Sequence, residues 1–325
     1  MNKMMLKQLF LALLIIAVSA CATVQTSIPE KESDTVPEIV IKPDIDSDTI
    51  IENINDNVIV TDPDSRITAV EIDEPDIYQY DEEDIIVITD EMKNEIIEQE
   101  RLAAIEERLN RPGVIINFDD YHPVTWARHF DLFDKYDAKA TFFVHEQEVV
   151  AQRQRDIFTF CLAAQERGHE VGYHTINHPE LTTLTRDQFF EQTVSRLDLF
   201  RDAGVELTSF AYPYGTYRLW MNEELLKYYK IVRGISGYKL YTREDMRSGF
   251  LDSISIDNIR YRTDTSFRND IDKMLNLAKD AGRVIILTSH GITDRDYGIT
   301  PDRLEYVLAK SKELGLTFFR FKDFQ

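Results

Sequence analysis

Two adjacent carboxylates, Asp119 and Asp120, close a short apolar run that begins at Val114. A buried strand that delivers paired acids to its C-terminal tip usually delivers them to chemistry. One acid can ligate a metal ion while its neighbour stands beside the attacking water as a base. Successive residues on a strand point to opposite faces, so the pair serves one cavity only if the strand ends between them. His174 and His178 lie four positions apart, a spacing that puts both rings on one side of a helical turn and within reach of a single ion. Two neutral imidazoles and one carboxylate leave coordination positions open for water and substrate, as catalytic zinc sites do. A third apolar run ends in Tyr212-Pro213-Tyr214-Gly215, and a fourth, Ile285-Ile286-Leu287-Thr288-Ser289, ends at His290. His290 is the candidate general acid, protonating a leaving amine. Singly these groups have plainer readings: an acidic loop start, solvated cap histidines, a satisfied core histidine. Together they describe one metal-dependent hydrolytic site. His122, His129, His145 and His169 lack matched partners and read as surface or packing residues, with some reserve for His122, which lies two positions beyond Asp120.

The elements that must position these groups alternate after Pro112. Strands are expected at 114–118, 140–144, 170–173, 209–212, 231–234, 254–256, 284–288 and 317–319, with helical stretches such as 124–136, 153–167, 186–203, 267–281 and 301–314 between them. Repeated beta-alpha units imply a parallel sheet, either doubly wound or closed as a barrel. In both architectures reactive groups belong at the C-terminal ends of strands, where the motifs fall. A helix is expected over 91–110, stopped by Arg111-Pro112-Gly113.

Charge divides the chain. From Ala22 to Asn110 there are 26 Asp and Glu against 6 Lys and Arg, whereas from Arg111 to the end the count is 32 against 29. All glycines lie at or after Gly113, and Tyr78 and Tyr80 are the only aromatics of the acidic lead. Such a segment lacks turn residues and core material, so 22–90 reads as a largely disordered acidic tether. A partner-binding or adhesin-like role for it is the alternative. Lys3 and Lys7, an apolar run from Leu9 to Val18 and small residues up to Cys21 read as an export signal over 1–21, too short to span a membrane. Val18-Ser19-Ala20-Cys21 resembles the lipobox of bacterial lipoproteins, which makes Cys21 the lipidated residue; an ordinary secretory signal cleaved near Ala20 to Ala22 would leave Cys21 incidental. Cys161 then has no partner, and no disulfide is expected. The acidic balance offers no basic stripe for nucleic acid.

In order, Asn-Phe-Asp-Asp, His-Thr-x-x-His, Tyr-Pro-Tyr-Gly and Leu-x-x-His resemble the motifs of the polysaccharide deacetylase family (carbohydrate esterase family 4, with the NodB-like homology domain), over 111–325. The resemblance implies an α/β fold, a distorted (β/α) barrel of about seven units, and a divalent metal. Zinc is the default, and cobalt, nickel or manganese would accept similar ligands. It also implies hydrolysis of N-acetyl groups on an amino-sugar polymer such as peptidoglycan or an exopolysaccharide. By the same resemblance Asp119 is the base, Asp120, His174 and His178 hold the metal, and His290 is the acid. Tyr214 lends its backbone N–H to the oxyanion, and Leu287 lines the acetyl pocket, with Pro213 and Tyr121 at its border. A glycan substrate and a lipid-anchored place facing the periplasm or cell exterior follow as expectations. A catalytically silent, glycan-binding member is the alternative. Two positions depart from the family pattern. Tyr121 stands where Gly is usual, so either the backbone keeps negative φ there or the loop differs. Ala211 stands where an Arg usually pairs with the catalytic acid, and Arg260 is a candidate replacement.

Overall fold

The computed structural model describes residues 50–54, 57–61, 68–69, 90–146 and 151–325. The export signal and Cys21 lie outside the described residues, as does most of the acidic lead. Within that lead β1 (Ile50–Ile54), β2 (Asn57–Thr61) and β3 (Thr68–Ala69) form a three-stranded antiparallel sheet. A helix, Asp90–Leu109, occupies the expected span. Among the described residues no helix is long and apolar enough to cross a membrane.

Beyond it the chain runs through β4 (Gly113–Asp120), β5 (Thr141–Val144), β6 (Glu170–Tyr173), β7 (Ser209–Ala211), β8 (Ile231–Ile235), β9 (Leu240–Tyr241), β10 (Phe250–Ser255) and β11 (Val284–Ser289). Seven of these, all but β9, pair in parallel, and β11 returns to β4 along Val284–Ser289 against Gly113–Phe118. The sheet is thus a closed seven-stranded α/β barrel, and the doubly wound alternative is excluded. β9 adds antiparallel to β11, β12 (Gly291–Ile292) pairs with β13 (Gly298–Ile299), and β14 (Thr317–Phe319) adds beside the start of β4.

Strand alternation splits the core in two. Val114, Ile116 and Phe118 join Phe142, Val171, Phe210 and Leu287 in the larger cluster, which also holds most of the buried helix residues. Ile115, Phe143, Ala211, Ile231, Leu251 and Ile286 form the smaller cluster that fills the barrel. Each fully buried large side chain contributes about 1.5–3 kcal/mol relative to exposure. The helix Asp264–Ala281 shows how the outer layer is built. Phe267, Ile271, Met274, Leu275 and Ala278 make its buried stripe, Thr263 and Ser266 close a capping box, and Gly282 at φ 63° ends it. Two expected helices are each split. The 124–136 stretch is Pro123–Ala127 plus Phe130–Lys135, and 186–203 is Arg186–Thr193 plus Leu197–Asp202. The helix Leu219–Leu225 has no counterpart among the expected helices.

Candidate active site

Asp119 and Asp120 end β4, and the backbone turns at the second of them. Asp120 adopts φ 84°, a left-handed value uncommon for a residue with a side chain. That turn is what lets neighbouring carboxylates address one cavity instead of opposite faces of the barrel. Tyr121 is not among the positive-φ residues, so the conformation a Gly would favour is taken one position earlier. Three further side-chain-bearing residues with positive φ belong to the site: Thr175 (76°), His178 (54°) and Tyr214 (60°). Backbone strain is concentrated where the functional side chains are aimed.

His174 and His178 converge as expected, but not on a helical turn. The segment after β6 is an irregular loop, and its two left-handed residues fold it so that both rings meet Asp120. The Thr175 hydroxyl accepts the His178 backbone N–H at 2.9 Å and braces this turn. Asp120 Oδ1 lies 3.4 Å from His174 Nε2 and 3.2 Å from His178 Nε2. Donor atoms of all three residues fall within 4.8 Å of one another, a grouping that could hold a metal ion.

The chemistry of these atoms fits a cation. His174 Nδ1–H donates to the Ala211 carbonyl at 2.7 Å, which leaves Nε2 as a lone-pair acceptor aimed at a carboxylate oxygen. Asp120 Oδ1 is buried without a hydrogen-bond partner among the described residues. Acceptors facing one another in a buried place repel unless a positive charge lies between them. Without an ion the rings can supply that charge only by taking up protons: burial works to raise the Asp120 pKa, but the hydrogen bond and charge of a protonated His174, with those of His290 and His178, outweigh it and hold the carboxyl well below the usual range.

Asp119 is buried, and its Oδ1 takes a charge-assisted hydrogen bond from Arg233 Nη2, itself fully buried on β8. Arg260 is therefore not its charge partner. It ends the short turn Asn258–Arg260, where its side chain is exposed beside Tyr261. On the other side of Asp120, His290 Nε2 stands 3.9 Å from Asp120 Oδ2. Its Nδ1–H donates to Asp257 Oδ2 at 2.9 Å, while Asp257 Oδ1 accepts from the Ser289 hydroxyl at 2.7 Å and the His290 backbone N–H at 3.2 Å. The Trp126 indole N–H fixes the His290 carbonyl at 2.8 Å. Burial alone would lower the His290 pKa, but the hydrogen bond and charge of Asp257, with the charges of Asp119 and Asp120, push it up to about 9.

Tyr214 occupies the turn after β7, and its exposed ring meets the His178 ring edge-on at 4.6 Å. Pro213 is buried at the same turn, and Tyr121 is half-buried with its ring 6.3 Å from that of His145. Leu287 does not line the site. It has no exposed surface and packs in the helix-side cluster, because it sits one residue out of phase with the barrel-facing Ile286. His145 proves closer to the chemistry than its lack of a sequence partner suggested. It is buried at the tip of β5, with its ring 5.4 Å from His178, and burial pushes its pKa down to about 3. His169 is a packing residue, stacked on Phe130 and accepting the Ala140 N–H.

Three comparisons bear on this domain. A family model described as polysaccharide deacetylase matches residues 106–230, a span that holds both acids and the two candidate ligand histidines and stops short of Arg233, Asp257 and His290. An uncharacterized protein of Bacillus subtilis, YlxY, is 29% identical over 101 residues, 29% of this chain and 30% of that protein, so the chain spans under a third of that relative. Among solved structures, the peptidoglycan deacetylase PdaC from Bacillus subtilis matches at 20% identity and a TM-score of 0.48, covering 66% of this chain and 90% of that one. The chitin deacetylase of the fungal pathogen Colletotrichum lindemuthianum matches at 18% identity and a TM-score of 0.49, covering 66% and 88%.

Proposed function

We propose that this chain, which carries a polysaccharide deacetylase domain, is a metal-dependent hydrolase that removes N-acetyl groups from an amino-sugar polymer, peptidoglycan or an exopolysaccharide, at a bacterial cell envelope. The observation that carries the reading is the meeting of three candidate ligands, Asp120, His174 and His178, with a base candidate and an acid candidate beside Asp120.

Asp119 is buried and held by a guanidinium, which suits a carboxylate that must stay oriented while it takes a proton from the attacking water. His290, with Nδ1–H committed to Asp257, presents Nε2 toward the ligand set. There it holds the proton that the departing amine must receive. Tyr214, at a turn of positive φ with its ring against His178, would lend its backbone N–H to the oxyanion. Asp120, His174 and His178 would hold a divalent ion, zinc by ligand type, which supplies Lewis acidity at the water and the acetyl carbonyl oxygen. The lipobox-like ending at Cys21 supports an exported, lipid-anchored protein that works on glycan outside the cytoplasm, with the acidic lead as its tether.

The test is acetate release from N-acetylated and O-acetylated glycans by the purified chain. Release from the N-acetylated substrates, abolished by a chelator and by Asp119→Asn, is the expected result. A metal-loaded protein that releases acetate from none of them overturns the reading.

A further inference from the structure

We infer that Arg233 is the positioning residue of the catalytic base, Asp119, and that it does from β8 what an arginine at position 211 would do from β7. The inference rests on the reading of Asp119 as base. Ala211 and Arg233 are Cα partners in the parallel β7–β8 register, so their side chains leave the sheet side by side, on the same face and at the same level. That face is the barrel interior. Ala211 packs there with Ile231 and Phe143, and Arg233 follows Ile231 by two residues. Asp119 reaches the same layer from β4, as the Cα partner of Phe143 on β5.

The layer alternates bulk and room. Gly172 on β6, the Cα partner of Phe143, gives way to the Phe143 ring, and the Arg233 guanidinium lies over that ring at 5.0 Å. Ala211 is small where its neighbour is large, so the Arg233 side chain takes the volume next to it. An arginine at 211 with an alanine at 233 would put the same two side chains into the same layer with their strands exchanged.

The energetics point to function and not to stability. Arg233 is fully buried, and its Nε and Nη1 have no hydrogen-bond partner among the described residues, so the guanidinium is only partly satisfied there. A buried ion pair with unmade hydrogen bonds is commonly no more stable than apolar residues of the same size. What the pair does supply is a fixed carboxylate, one of whose oxygens is committed to Arg233 Nη2.

Two measurements test this on the full chain. In acetate-release kinetics, Arg233→Ala is expected to lose about 100-fold in kcat, the scale of a misplaced catalytic group, with KM little changed. Arg233→Lys keeps part of the rate. The exchange Ala211→Arg/Arg233→Ala regains most of it. A kcat for Arg233→Ala equal to that of the parent, or an exchange variant with a parental melting temperature that stays as slow as Arg233→Ala, overturns the inference. In thermal unfolding, Arg233→Met leaves Asp119 buried without its partner, and the added change Asp119→Asn should recover melting temperature. Independent, additive shifts overturn the pairing. If the parent chain releases no acetate, the proposed activity fails, and the unfolding cycle alone decides Arg233.

Discussion

Asp257 Oδ2 accepts the Nδ1–H of His290 at 2.9 Å, with the carboxylate almost fully buried and a second donor, the Ser255 hydroxyl, at 2.8 Å on the same oxygen. The pair fixes the tautomer of His290 and favours the protonated ring, because the buried Asp257 carboxylate stabilises the positive charge that is lost with the Nε2 proton. The pKa of His290 is raised from 6.5 to about 9, so its charge is the form that stabilises the fold. That contribution is complete below 6.5 and is lost as pH rises through about 9.

The first prediction concerns this pair. In chelator-treated protein the His290 ring should titrate near 9 by NMR. In Asp257→Asn the titration should fall toward the ordinary histidine value, and the alkaline limb of acetate release should move down with it. The stability advantage of the parent over Asp257→Asn should be largest at low pH and shrink on the alkaline side. An unmoved titration would show that Asp257 does not hold the proton.

A second prediction concerns the rim. The Tyr297 ring lies edge-on to His290 at 5.8 Å and is 64% exposed, while Tyr214 is 63% exposed over His178. Two exposed rings beside the candidate site suit a sugar ring, with its apolar faces and polar edge. Tyr297→Ala should raise KM for a glycan oligomer by about fivefold, the scale of one aromatic contact, with less effect on kcat. Equal KM values for parent and variant would remove Tyr297 from the binding surface.

A third prediction tests the barrel layer that supports Asp119. A Cβ at Gly172 would lie 2.4 Å from the Phe143 ring and 2.7 Å from Ser209 Oγ. Gly172→Ala should therefore destabilise the domain by about 1–3 kcal/mol through overpacking, measured by denaturant unfolding. An unchanged midpoint would mean the layer has slack that the packing does not show.

The strand tips were legible because each is an uninterrupted apolar run followed by polar residues, and β6 and β14 match their expected bounds. Barrel closure was not legible from periodicity, which reads alike in an open and a closed parallel sheet; it rests on β11 returning to β4. The two supporting charges were missed for different reasons. Arg233 sits inside a strand, where a single charge looks like an outward-facing residue, and only closure brings β8 to face β4. Asp257 follows Ser255-Ile256 at the tip of β10, an acid ending an apolar strand as Asp119 does, and that signal was available. Arg260, three residues later, was the more conspicuous cation, yet the turn Asn258–Arg260 leaves it exposed. The four-residue spacing of His174 and His178 suggested a helix, but left-handed residues at 175 and 178 converge the rings in a loop.

The central claim is that Asp120, His174 and His178 share one divalent ion, and zinc binding by calorimetry on the full chain tests it most directly. We expect one ion per chain in the parent and in Asp119→Asn, because the parent's Asp119 carboxylate pairs with Arg233 and not with the ion, and loss of that site in Asp120→Ala. Zinc binding that survives Asp120→Ala unchanged, or a folded parent that binds none, would contradict it.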